Sequence, residues 1–424
     1  MKKVRVSALT ILFIGLLTIA EINQSGIIRM WYLTAVLISG AIWGYAILYR
    51  VGTPGYPYTV TSYYTKPAVI ICSQWIVVFA YNMFLYAVGI GESRFVKSSL
   101  IQMTLPLLVL MGGWGFYTLF RQRALSYLTF SIALNFIIVL SFQMLKMDFG
   151  DFLQGIASVF TGLSIGNPFE TNADAVFTLG LFFLYLCNRK YIDGQTRKSK
   201  IFFLVILIIL CGKRSQYVAL LSVVLFSALS GIFPRKIIPW LENLASVLII
   251  LIYYLYIFLI GNGLLLNFLY DHGINGMGRF QMWDYVSRFY EFTPAFPGHG
   301  FSFSTLMLEN DRVWTYQDAV YSLHGGVIGF YNDLGFIMMG LWMCFNLIIV
   351  TNIFRKKYGR DISNLYWQMT AYLFVLYLTE SSINHFITQT AYIVILLHSI
   401  ALKSQGKTDC GKPVAGGENV YCKI

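Results

Sequence analysis

The chain has 424 residues, 57% of them hydrophobic and only 12% charged, with a mean hydropathy of +0.64. These values exclude a soluble globular domain and predict an all-α, polytopic integral membrane protein. The net charge of +12 is spread too unevenly to signal a nucleic-acid partner, and the cysteines show neither a disulfide framework nor a CxxC metal spacing.

The start, MKKVR followed by the apolar run Val6 to Ala20, resembles a signal peptide. No small-x-small cleavage site follows it, so an uncleaved first helix is expected. A span needs about 20 mainly apolar residues. Candidates fall at 6–22, 28–48, 68–90, 99–119, 125–145, 171–187, 201–213, 216–233, 243–261, 325–350, 365–380 and 384–402, about twelve transmembrane helices. The run at 201–213 is the shortest after the loops are set aside. Residues 1–402 read as one polytopic membrane domain, with a long loop at 262–324 on the outer side, and 403–424 as a disordered, Gly-rich cytoplasmic tail.

Lys and Arg set the orientation. With both termini in the cytoplasm, 22 of the 31 basic and 5 of the 19 acidic residues lie inside, giving +17 there and −5 outside. The 262–324 loop is therefore expected on the outer side; the resemblance given below implies that the membrane is a bacterial inner membrane and that side the periplasm. No repeat of 20 to 50 residues stands out, so an inverted-repeat transporter gains nothing. Charges fall almost wholly at span ends, which also weakens a transporter reading.

The long polar stretch from Arg279 to Gly335 is where chemistry is expected. On the same outer side, Cys211-Gly-Lys-Arg-Ser-Gln216 places Lys213 and Arg214 where one helix ends and the next begins. Alone, these cations read equally well as interfacial residues reaching for lipid headgroups. Arg279 reads alternatively as a loop arginine paired with Asp271 or Asp284. Two arginines facing one outer cavity suit phosphate or pyrophosphate, because the guanidinium fork donates two parallel charge-assisted hydrogen bonds. His324, followed by Gly325 and Gly326, opens the tenth span and can serve as a general base, since imidazole titrates near neutrality. Its structural alternative is a donor at a helix start. His299 in Pro297-Gly298-His299-Gly300 reads as a turn residue, and His385 can line the same cavity. Glu170, Asp174, Asp318 and Glu380 are outer carboxylates, to which the resemblance given below would assign sugar hydroxyls, and nothing in the sequence selects among them. No DxD, HExxH, GxSxG or P-loop occurs.

Four elements in this order resemble the O-antigen polymerase and O-antigen ligase superfamily of bacterial membrane glycosyltransferases. They are the basic-Ser junction Lys213-Arg214-Ser215, the Arg-x-x-x-Trp element Arg279 to Trp283, the Pro297 to Gly300 turn, and His324 leading into a Gly-containing helix to Gly335. The resemblance covers about 210–340. Family members often carry Asn directly after the His, where Gly325 stands here and Asn332 is the nearest Asn. Lys213 also replaces a commoner small residue.

The resemblance implies a GT-C-like helical fold whose donor is a sugar chain linked through pyrophosphate to undecaprenol, used without metal or other cofactor. It implies catalytic roles for His324, Arg279 and Arg214, and substrate-binding roles for Lys213, Trp283, His299 and Asn332. Membrane lipids and a chain-length regulator are the other expected partners. Polymerisation of repeat units is favoured over ligation to lipid A core, with lipid-linked oligosaccharide transport as the reading from another class.

Overall fold

A computed structural model describes residues 8–24, 31–52, 58–161, 167–169, 173–274, 279–311, 315–316, 319–320, 326–380 and 385–409. The architecture is all-α, with one two-residue antiparallel pairing between β1 (Thr315–Tyr316) and β2 (Ala319–Val320). Five helical segments among the described residues are long and apolar enough to cross a membrane: Thr65–Ala87, Ser93–Lys146, Ile238–Gly261, Gly326–Tyr358 and Phe386–Ser404.

The N-terminal half supplies α1 (Ala8–Gln24), α2 (Trp31–Gly52), α3 (Tyr58–Ala87), α4 (Val96–Phe120) and α5 (Ala124–Lys146). The 54-residue run Ser93–Lys146 is divided at Arg121, whose φ is +48°, so α4 and α5 match the two spans expected at 99–119 and 125–145. Helix α6 (Phe149–Thr161) was not expected. Its apolar residues fall on one face, the pattern of a helix lying along an interface.

Helices α7 (Ala173–Ile192), α8 (Lys198–Cys211) and α9 (Arg214–Ser230) follow. With 14 residues, α8 is about 21 Å long, short of a hydrocarbon core of about 30 Å. Gly212, in the left-handed region at φ +66°, stops it there and turns the chain directly into α9.

Helix α10 (Ile238–Gly261) leads into the polar stretch, which is itself helical in parts: α11 (Leu264–Asp271), α12 (Arg279–Ser287) and α13 (Phe303–Asp311). Beyond it, α14 (Gly326–Cys344) continues through a π-helical turn at Phe345–Val350 into α15 (Thr351–Tyr358), followed by α16 (Arg360–Tyr377) and α17 (Phe386–Asp409). The last helix therefore runs past the expected tail boundary at residue 402, and residues 410–424 of that tail lie outside the described residues.

Helices α7, α16 and α17 form the centre, and α1, α3, α5, α8, α9 and α10 turn exposed Leu, Ile, Val and Phe outwards. Lipid tails are as apolar as leucine, so burial alone does not favour helix association in a bilayer; close packing and hydrogen bonds must supply it. The central helices carry such bonds. The Asn188 side chain donates to Leu184 O (2.8 Å) and to Gln368 Oε1 (2.6 Å), Tyr372 donates to Phe177 O (2.9 Å), and Gln216 donates to Val176 O (2.8 Å). Tyr253 on α10 donates to Phe374 O on α16. These bonds tie α7, α9, α10 and α16 together beneath the polar stretch.

Candidate active site

The tenth expected span is broken. Gly335 has φ +73° and ψ −176° inside the α14 run, a conformation essentially reserved for glycine. Breaking a helix here leaves backbone groups without intrahelical partners, and a bilayer offers no water to replace them. The Pro297–Gly300 turn supplies those partners. His299 N donates to Asn332 O (2.8 Å), Gly300 N donates to Asp333 O (3.0 Å), and Phe336 N donates to Phe296 O (3.0 Å). The backbones touch. A Cβ on Gly298 would stand 2.5 Å from Asp333 O, and one on Gly335 would stand 2.2 Å from the carbonyl carbon of Pro297.

Side chains complete the clamp. Tyr81 donates to Pro297 O (2.7 Å), and the buried Asn82 accepts from Phe301 N (2.6 Å). Asp333, 5% exposed, accepts from Ser302 N (2.6 Å) and faces the amides of Phe303 and Ser304. Its carboxylate thus caps the start of α13, where backbone N–H groups and the helix dipole favour negative charge. This buried acidic residue two turns inside α14 departs from the expectation that charges fall almost wholly at span ends.

Three residues expected to bind substrate belong to this framework. Asn332 is fully buried and donates from Nδ2 to Val286 O (3.0 Å), fastening α14 to α12. His299 stacks on Phe303 with ring centroids 4.3 Å apart, and its Nε2 lies 2.7 Å from Phe289 O, a turn residue as one sequence reading had it. Trp283 is 5% exposed. Its ring packs against Tyr256 at 6.0 Å and Phe280 at 5.6 Å, anchoring α12 on α10. Burial raises the Tyr290 phenol above its ordinary range, so it remains a hydrogen-bond donor to Ile257 O (2.9 Å), a second anchor on the same helix.

The cations occupy another environment. Lys213 precedes the first turn of α9, and its Nζ lies 3.3 Å from Glu380 Oε1, with side chains 12% and 6% exposed. Ser215 Oγ lies 3.5 Å from the same oxygen, and Lys213 Nζ sits 6.0 Å from the Phe177 ring centre. His385 packs edge-on to that ring at 5.6 Å. Arg214, the first residue of α9, is exposed. Arg279 opens α12, partly buried, with its charge acting on the Tyr256 hydroxyl. Asp284, the partner considered for Arg279, pairs with Arg288 four residues on.

His324 lies outside the described residues, as do Glu170 and Asp318. The first described residue after it, Gly326, fits against α16: a Cβ there would stand 2.1 Å from the Tyr377 ring. Glu380 lies three residues beyond Tyr377. The C-terminal end of α16 therefore receives both the Lys213-Arg214-Ser215 element and the start of α14. Sequence reasoning held Glu380 as one of four equivalent carboxylates and missed Asp333 and Asn82. Among the described residues, no group of three or more His, Cys, Asp or Glu could hold a metal ion. No family model matches the chain, and neither does a curated protein or a solved structure.

Proposed function

We propose that the chain is a membrane glycosyltransferase that polymerises undecaprenyl-pyrophosphate-linked oligosaccharide repeat units into an O-antigen, capsule or exopolysaccharide. The observation that carries this reading is the meeting of two sequence elements at the end of α16: Lys213 and Ser215 on Glu380, and Gly326 on Tyr377. Arg279 belongs to the same end of the bundle, because α12 stands on α10 through Trp283 and Tyr256 and α10 is bonded to α16 through Tyr253.

In this reading the protein spans an inner membrane about twelve times, with both termini cytoplasmic and the site facing the periplasm. A hydroxyl oxygen of the acceptor sugar attacks the anomeric carbon of the donor in line. The carbon–oxygen bond to the diphosphate breaks, its electron pair leaves with undecaprenyl pyrophosphate, and the anomeric centre inverts. His324 takes the hydroxyl proton. Arg214 and Arg279 stabilise the charge that grows on the leaving group, an effect worth about 10²–10³ in rate for one well-placed donor. Pyrophosphate is a good leaving group, so neither a metal nor a carboxylic acid is called on to activate it.

The test is turnover of the purified protein in nanodiscs, given undecaprenyl-pyrophosphate-linked repeat units from its own host. A ladder of longer lipid-linked chains is expected. Transfer only when lipid A core is added would make the protein a ligase, and no reaction with either acceptor would overturn the enzyme reading in favour of transport. The topology has its own check: a cysteine at the exposed Ala295 of a cysteine-free variant should react with an impermeant maleimide in spheroplasts, and protection from the reagent would reverse the orientation.

A further inference from the structure

The carboxylate of Glu380 sits where an anionic ligand of Lys213 would sit. We infer that Glu380 is an internal anion that holds the empty site together and is exchanged for the pyrophosphate of the lipid-linked donor when it binds. The inference rests on the proposed function for the identity of that ligand, and it adds what the site does between turnovers.

The geometry favours exchange over a permanent bond. A charge-assisted N–H···O bond is usually about 2.7–2.9 Å long, whereas Lys213 Nζ and Glu380 Oε1 are 3.3 Å apart and Ser215 Oγ is 3.5 Å away. Contrast the capping of α13, where Asp333 takes the Ser302 amide at 2.6 Å. Glu380 therefore holds Lys213 mainly by charge. It lies three residues beyond the end of α16, where its amide donates to Leu376 O (2.9 Å).

An ammonium buried this far is costly without an anion. In the empty site Glu380 meets that need. A pyrophosphate carries more charge than a carboxylate, and in the proposed site Arg214 on the next residue, Arg279 and Ser215 can add charge-assisted donors to it. Once it arrives, Glu380 and the pyrophosphate are like charges competing for one ammonium, so Glu380 lowers the affinity for donor and for the undecaprenyl pyrophosphate product alike. Release of that product is then assisted by the returning carboxylate.

The experiment measures binding of inorganic pyrophosphate to the full chain in nanodiscs by isothermal titration calorimetry, at fixed salt and with melting temperatures recorded for every variant. Glu380→Gln keeps the shape and removes the charge. It should bind pyrophosphate about tenfold tighter, the effect of removing one like charge at close range in a partly screened site. Glu380→Asp, with a shorter reach, should fall between the two and serves as the second variant if Gln lowers the yield. In a Lys213→Ala background the gain from Gln should shrink to less than about twofold. Unchanged or weaker binding by Glu380→Gln would overturn the exchange, because it would make Glu380 a fixed support of Lys213. Tighter binding by Gln in a protein that elongates no lipid-linked chain would leave the exchange standing and remove the glycosyltransfer reading.

Discussion

The polar stretch and the charged end of α16 lie at the same end of the bundle and are built on opposite principles. The Pro297–Gly300 turn and the Asn332–Gly335 break satisfy each other's backbone groups through short bonds, with Asn82, Tyr81 and Asp333 closing what remains. The Lys213-Arg214-Ser215 junction sets a largely buried ammonium beside an exposed arginine and meets its carboxylate at long range. The first region is a framework that tolerates no change of shape. The second is held by electrostatics and can change partners. Residues that a motif reading groups together therefore do two different jobs.

The comparison breaks most visibly at Gly335. Gly335→Ala forces a side chain into a conformation costing about 1–3 kcal/mol in itself, with a Cβ only 2.2 Å from the backbone of Pro297. Loss of the monodisperse, folded protein on size exclusion is expected, and a normal melting temperature would show that the turn is not clamped on the break. Asp333→Asn should cost less, about 0.5–1.5 kcal/mol, the net worth of an uncharged hydrogen bond, because the Asn oxygen can still accept from the Ser302 amide. It should lower the melting temperature and leave turnover per folded molecule unchanged. A fall in turnover without a fall in stability would move Asp333 from the framework into the chemistry. Trp283→Phe should have the smallest effect of the three, a modest loss of stability from a trimmed aromatic contact. A large fall in donor affinity instead would restore Trp283 as a substrate-binding residue.

Much of this arrangement was legible in the chain. Arg121 and Arg123 marked the division between α4 and α5, and Lys213 and Arg214 marked the α8–α9 junction, because charges and a left-handed glycine cannot sit mid-helix in lipid at low cost. The break at Gly335 was hidden, since hydropathy averages over 325–350 and a single glycine inside an apolar run does not declare its dihedral angles. The three helices within 262–324 were hidden for a related reason: short helices fastened by long-range side-chain bonds, such as Asn332 to Val286, owe little to their own periodicity. Glu380 was visible as a carboxylate on the expected outer side. Its partnership with Lys213 spans 167 positions of sequence and only the fold brings it about. A buried Asp333 in an apolar span was a signal available from composition alone, and it was missed because its span was placed as one unbroken helix.

The central claim is that the cations at this end of the bundle serve the leaving pyrophosphate and the turn serves the fold. The measurement that tests it most directly sets turnover beside melting temperature for Arg279→Ala in nanodiscs, with lipid-linked repeat units as substrate. The account predicts a loss of turnover of about 10²–10³ with a melting temperature within a few degrees of wild type. Turnover that survives in a folded Arg279→Ala protein would contradict it and would leave Arg279 as a structural residue at the start of α12.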